Sequence, residues 1–277
     1  MPLLAAFMIG QWGWRQAWFL MGPIVLILAA PAVLIFRRRP EDVGLQPDGP
    51  EGENLSPRVA EARGRRRQQL LAADVHWTMR QIFRTPALWI MVFSGSFSGL
   101  GVTGTNLHLV PFLQDLGYPL AIAAAGISFR AAVALVSAPL WGLALERVPI
   151  LMASSGEALF KAFAMVAFLL YPTPFGIIVG LVLYGIGSGG SMVVSETIWA
   201  NYYGRLSLGT VRSLVAPLQL ASSAAGPLVL GLLFDLSGSY QSAWLILAMG
   251  FLVAAGLVQF ARPPRRPAAQ TASGVEL

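Results

Sequence analysis

The chain has 277 residues, is 56% hydrophobic and only 12% charged, and has a mean hydropathy of +0.65, whereas a soluble domain carries about 25% charged residues. It has no cysteine, so disulfides and thiolate metal sites are excluded, and two histidines, His76 and His108, are too few for an imidazole metal cluster; no metal or cofactor is expected. The net charge of +6 comes from arginines gathered in one loop and one tail beside apolar stretches, which points to membrane topology and not to nucleic acid.

Residues 1–10 (MPLLAAFMIG) are apolar, but they are too short to span a membrane and have no basic signal-peptide region. They are read as the end of a helix that starts upstream, or as an amphipathic surface helix. A span needs about 20 apolar residues to cross a hydrocarbon core of about 30 Å. The first such segment is 16–36, stopped by Arg37-Arg38-Arg39-Pro40. Residues 37–85 hold most of the charge, with Pro40, Pro47, Pro50 and Pro57 among them, and read as a solvated linker with two short helices. The second of these has a capping box, Thr78 with Gln81, flanked by Trp77 and Ile82 at the staple positions.

Six further spans follow. The segment 86–113 opens on Thr85-Pro86, an N-cap followed by proline at the first helical position. The others are 119–144, 151–171, 175–199, 210–234 and 241–261. The expected fold is therefore an all-α polytopic membrane protein with seven transmembrane helices. Ten arginines lie in 37–85 and three more, Arg262, Arg265 and Arg266, in the tail, whereas the turns at 114–118, 172–174 and 235–240 contain no lysine or arginine. By the positive-inside rule the central loop and the C-terminus are cytoplasmic, in a multi-pass plasma (inner) membrane protein.

Three stretches carry a family resemblance. Gly13-Trp14-Arg15 leads towards Arg38-Arg39-Pro40-Glu41-Asp42-Val43-Gly44-Leu45; Arg84-Thr85-Pro86-Ala87-Leu88-Trp89 runs on to Asn106-Leu107-His108-Leu109-Val110-Pro111-Phe112-Leu113; and Tyr202-Tyr203-Gly204-Arg205 precedes Gly209-Thr210-Val211-Arg212 and Ala216-Pro217-Leu218-Gln219. Together these resemble bacterial members of the major facilitator superfamily of the monocarboxylate-porter and oxalate–formate antiporter kind. The resemblance implies two six-helix halves joined by a basic cytoplasmic loop. On that register residues 1–36 are the end of the N-terminal bundle (a remnant of helix five, then helix six), 37–85 the central loop, 86–261 the C-terminal six-helix bundle and 262–277 the cytoplasmic tail. It also implies partners: the lipid bilayer, a small solute, a coupling proton or counter-anion, and the remaining N-terminal helices from a longer chain or a separate subunit.

Gly142-Leu143-Ala144-Leu145-Glu146-Arg147 keeps the glycine, acid and arginine of the superfamily's loop signature, with Val148-Pro149-Ile150 in place of the rest. Glu146 and Arg147 are accordingly gating or structural candidates. The porters place a substrate-binding arginine near the position of Ala138, and the arginine here is Arg130, two turns earlier.

Arg130 stands near the middle of its span, where an arginine costs about 2.5–3.5 kcal/mol on insertion scales. It is read as a substrate-anion or gating residue, or as a structural residue in an ion pair or hydrogen-bonded to backbone carbonyls. Asn106 and His108 precede Pro111 on a helix that lines the pathway in the superfamily, and either bind solute or, as polar groups, seal the outer gate or hold helix contacts. Thr103 and Thr105 are expected to bond back to their own helix. Glu157 and Lys161 stand four apart, either a proton-coupling site or, on a helix that is outer scaffold in the superfamily, a self-neutralising pair near the interface. Gly176, Gly180, Gly185, Gly187, Gly189 and Gly190 read as close-packing positions. Glu196 and Arg212 are placed to pair across their turn, as a gate or a static brace. Pro217 and Pro227 bracket Gln219, Ser222 and Ser223, so freed carbonyls and these side chains are solute contacts or ordinary packing.

No Gly-x-Ser-x-Gly or His-Glu-x-x-His constellation occurs, so no enzyme is expected. The expected function is secondary transport of a small organic solute, an organic anion by preference, by alternating access. The other reading is a truncated or split-carrier subunit without transport of its own.

Overall fold

The computed structural model describes residues 2–35, 77–204 and 206–264. Among them all regular structure is helical, and seven helices are long and apolar enough to cross a membrane. The chain is an all-α polytopic membrane protein. The Arg37–Pro40 stop, the first short helix expected in the central loop and the tail beyond residue 264 lie outside the described residues. The chain divides into two units, Met1–Ala73 and Asp74–Leu277.

In the first unit, α1 (Pro2–Ile35) is interrupted at Gly13, whose φ of 75° and ψ of 164° are not helical. Only glycine takes that backbone geometry readily, so the apolar start and the following span are separate helical pieces. Trp14 to Ile35 is about 33 Å long at 1.5 Å per residue, enough to cross the hydrocarbon core.

The second unit opens with α2 (Met79–Phe83), where the capping box forms. Gln81 N donates to Thr78 Oγ1 at 3.4 Å and Thr78 N to Gln81 Oε1 at 2.9 Å. Trp77 and Ile82, the two staple residues, are both buried in one cluster. Then come α3 (Pro86–Asp115), α4 (Leu120–Leu145), α5 (Ile150–Leu170), α6 (Pro174–Tyr203), α7 (Leu208–Ser237) and α8 (Gln241–Val258). Thr85 caps α3 by backbone position alone. Its hydroxyl instead donates to Ile82 O at 2.7 Å and bonds Tyr203 Oη at 2.6 Å, which ties the start of α3 to the end of α6.

Packing follows a two-fold pattern. α3 lies along α7 and α4 along α6; α5 packs on α6 and on α8, and α3 on α8. Exchanging α3–α5 for α6–α8 leaves this pattern of neighbours unchanged. Each set also begins alike, with Thr85-Pro86 and Thr173-Pro174 at cap and first helical position.

Lipid tails are as apolar as leucine, so helix association relies on close packing and hydrogen bonds. The close packing here is made by glycine. Gly95, Gly99 and Gly104 on α3 admit Gln219, Ser223 and Gly226 of α7, while Gly185 and Gly189 on α6 admit Val133, Ala134 and Ser137 of α4. An aromatic cluster of Phe112, Phe168, Trp244 and Tyr240 fills one end of the bundle, with centroids 5.1–5.8 Å apart. At the other end Trp77, Trp199 and Tyr203 pack together.

A Cβ on Gly226 would meet Leu100 O, Thr103 Oγ1 and the backbone of Gly104, whereas one on Gly256 meets nothing within 4 Å. Gly226→Val should lower stability by about 1–3 kcal/mol through overpacking. Gly256→Ala should leave stability unchanged or raise it slightly. Thermal unfolding of the two variants in detergent checks the contrast.

Candidate functional site: a polar seam inside the bundle

The middle of the bundle holds a buried ammonium. Lys161 on α5 is 0% exposed, and its Nζ has four neighbours. Glu157 Oε2 lies at 2.5 Å, Ser98 Oγ of α3 at 2.6 Å, Ser191 Oγ of α6 at 3.1 Å, and the Phe251 ring of α8 at 5.2 Å. Ser191 in turn donates to Glu157 Oε2 at 2.9 Å. The pair forms within α5, as the four-residue spacing allows. α5 is packed between α6 and α8, so its polar face turns inward and meets α3 and α6.

Glu157 also borders a cavity of about 330 Å³ between α3, α5, α6, α7 and α8. Its wall includes Ser94, Ser98, Ser191, Ser195, Gln219 and Ser223, and Glu196 and Arg212 lie at its edge. Glu196 and Arg212 are ion-paired across the α6–α7 turn, with both side chains partly exposed. Of the residues singled out in the sequence, Gln219, Ser223, Glu157, Glu196 and Arg212 thus meet around one space, and Lys161 stands behind Glu157. Ser222 lies outside the cavity wall.

Arg130 also lies outside that wall, on the face of α4 against α6. Its Nη1 reaches Ser188 Oγ at 3.4 Å, its guanidinium carbon lies 5.6 Å from the Tyr184 ring centroid, and its buried Nε has no partner. No described carboxylate lies within ion-pair distance of it. Tyr184 donates to Val102 O at 3.3 Å, and Val102 lines the cavity, so Tyr184 connects Arg130 to a residue of the cavity wall.

Serine spacing links these groups. Ser188, Ser191 and Ser195 fall on one face of α6 at offsets of three and four, and Ser94 and Ser98 do so on α3. Ser188 contacts Arg130, Ser191 contacts both members of the ion pair, and Ser195 lines the cavity. These serines and Tyr184 were not among the sequence candidates. Their signal was the spacing, which is easily hidden among the neighbouring glycines.

His108 is engaged at both ring nitrogens. Its Nε2 lies 3.0 Å from Pro227 O and its Nδ1 3.0 Å from Tyr240 Oη. A carbonyl only accepts, so Nε2 carries the proton and Nδ1 accepts from the phenol. Burial first, then the carboxylates of Asp115 and Asp235, push the Tyr240 phenol above its ordinary 10.0, which keeps it protonated as that donor. His108 is therefore a clasp between α3, α7 and the α7–α8 turn. Asn106 is exposed on α3. Glu146 and Arg147 are exposed in the α4–α5 turn.

The freed carbonyls need one correction. Pro227 has no N–H for Ser223 O, and Thr103 Oγ1 of α3 lies 2.5 Å from that oxygen. Thr103 also lies 2.8 Å from Gly99 O of its own helix. It thus reaches across to α7 as well as back, and that carbonyl already has a protein partner.

A helical bundle that buries matched charges and hydroxyls within spans of this length marks a functional site inside a membrane protein. The model of the Major Facilitator Superfamily matches residues 1–216. The chain belongs to the Major Facilitator Superfamily and is a membrane transporter of that type. No curated protein matches the chain.

Removing one partner of a buried ion pair costs about 3–5 kcal/mol, whereas apolar replacement of both is often neutral. Lys161→Met should therefore lower stability by about that amount, and Glu157→Leu with Lys161→Met should recover most of it. Melting temperatures of the purified proteins in detergent check this.

Proposed function

We propose that the protein carries a small organic anion across the plasma (inner) membrane by alternating access, with the six-helix bundle as one of two rocking halves and a coupled proton or counter-anion driving the cycle. One observation carries the anion reading. The described spans of the bundle contain three basic side chains, Arg130, Lys161 and Arg212; Lys161 and Arg212 are each matched by a carboxylate, and Arg130 is not. An unneutralised guanidinium, half-buried in a span, attracts a carboxylate, and its planar fork suits one. The motif resemblance to the monocarboxylate-porter and oxalate–formate group supports the same substrate class.

The match of Glu196 with Arg212 at the cavity edge suits a gate that opens as the halves rock, with Glu146 and Arg147 at the same membrane face. That face is cytoplasmic on the arginine distribution. His108, held at both nitrogens, serves as a clasp on the opposite side.

A charged hydrogen bond contributes about 1.5–3 kcal/mol. In vesicles holding the full gene product, Arg130→Ala should weaken uptake of labelled small carboxylates by about 10- to 100-fold, and Arg130→Lys should weaken it less. Carboxylate uptake unchanged in Arg130→Ala would remove the anion assignment. The chain has no cysteine, so single cysteines report topology cleanly. Gln114→Cys should react with an impermeant maleimide in intact cells, and Arg147→Cys only after permeabilisation.

A further inference from the structure

The cavity beside Glu157 differs in character from the surroundings of Arg130. Glu157 is 8% exposed, and both its recorded contacts, with Lys161 and Ser191, are made through Oε2. Oε1 has no described partner and belongs to a residue that lines the cavity. Ser94 Oγ on the wall is buried and unpartnered. Gln219 and Ser223, also on the wall, make no side-chain hydrogen bond to a described residue. Lys161 is screened behind Glu157 with no exposed surface, and Arg212, the one cation on the wall, is held by Glu196. The space therefore offers a free carboxylate oxygen and hydroxyl and amide oxygens, with no free cation.

We propose that this cavity is a second subsite for the transported solute, accepting a hydrogen-bond-donating substituent, a hydroxyl or an ammonium, at Glu157 Oε1. The proposal rests on the reading of Arg130 as the carboxylate-binding residue. Both groups attach to one face of α6. Arg130 contacts Ser188 and Glu157 contacts Ser191, three residues apart and so separated by about 4.5 Å of helix rise. On this proposal the solute sets its carboxylate at Arg130 and a donor a few bonds away at Glu157 Oε1. The solute class is a hydroxy- or amino-substituted short-chain acid, and unsubstituted acids leave Oε1 and Ser94 unsatisfied. A site built to hydrogen-bond a donor discriminates strongly against the analogue that lacks it.

The test uses the full gene product in proteoliposomes, with butanoate, 4-hydroxybutanoate and 4-aminobutanoate as competing probes. At least one donor-bearing acid should bind about tenfold or more tightly than butanoate, and which one does so assigns the donor as hydroxyl or ammonium. Replacing both charges, Glu157→Gln with Lys161→Met, should reduce that preference to within about twofold. Ser94→Ala keeps the ion pair and should reduce it several-fold. Equal binding of the three acids to the wild type overturns the subsite, as does a preference that survives both variants. Arg130→Ala should weaken all three acids alike. If it changes none of them, or if no acid binds the wild type, the anion reading fails and the subsite as stated falls with it. Failure of the preference alone, with Arg130→Ala still weakening every acid, rejects the subsite and leaves the anion reading standing.

Discussion

An ammonium with no exposed surface, in the middle of a membrane bundle, constrains everything around it. Lys161 needs a counter-charge and further acceptors in a medium where an isolated charge is very costly. Glu157 is one turn away on the same helix, and Ser98 and Ser191 come from two other helices. Meeting these requirements draws α3, α5 and α6 to one point. Gly187 makes the approach possible, because a Cβ there would meet Glu157 O and Lys161 Cγ at 2.7 and 2.8 Å. The ion pair, the serines and the glycine are thus one device, and the cavity opens where Glu157 faces away from its lysine.

The same logic sets the other helix contacts. Proline in α7 strips Ser223 O of its helical donor, and Thr103 lies at hydrogen-bond distance from it. The hydroxyl is close enough to reach because α3 and α7 meet at Gly104 and Gly226. One turn further along, His108 reaches Pro227 O, beside Gly231. Glycine creates the approach and a polar side chain then occupies it, which satisfies both the packing and the hydrogen-bonding demands of a lipid-solvated bundle. The α3–α7 seam is accordingly bonded at Thr103 and His108, while near Gln219 it borders the cavity.

Much of this fold was legible in the residues. Seven apolar runs of spanning length, two of them opening on Thr-Pro, correspond to seven spanning helices among the described residues. The Thr78–Gln81 cap and the Glu196–Arg212 pair were also readable, because both depend on short-range spacing. What was less legible depends on which face of a helix meets which neighbour. The Glu157–Lys161 spacing gives the pair itself, but not the serines of α3 and α6 that Lys161 also meets. Thr103 looks self-bonded until α7 presents a proline-freed carbonyl. Hydropathy establishes that a helix spans, but in lipid it carries little information about rotation, since a buried leucine and a lipid-facing leucine are equally comfortable.

Rotation is instead encoded in the small and polar residues, and for that reason the candidate site was only half visible. Gln219, Ser223, Glu157, Glu196 and Arg212 were each conspicuous as polar residues in or beside apolar spans, but their convergence depends on the serines and glycines between them. Ser94 and Ser98 line the cavity, and Ser98 meets Lys161 of α5, while Gly95 and Gly99, one position on, are pressed against α7; Ser188 and Ser191 face inward because Gly185 and Gly189 seat α4. Arg130 then projects from α4 towards Tyr184 and Ser188 of that same α6 surface. A polar stripe and a glycine stripe, offset by one position on the same helix, therefore orient that helix as firmly in lipid as an apolar stripe does in water.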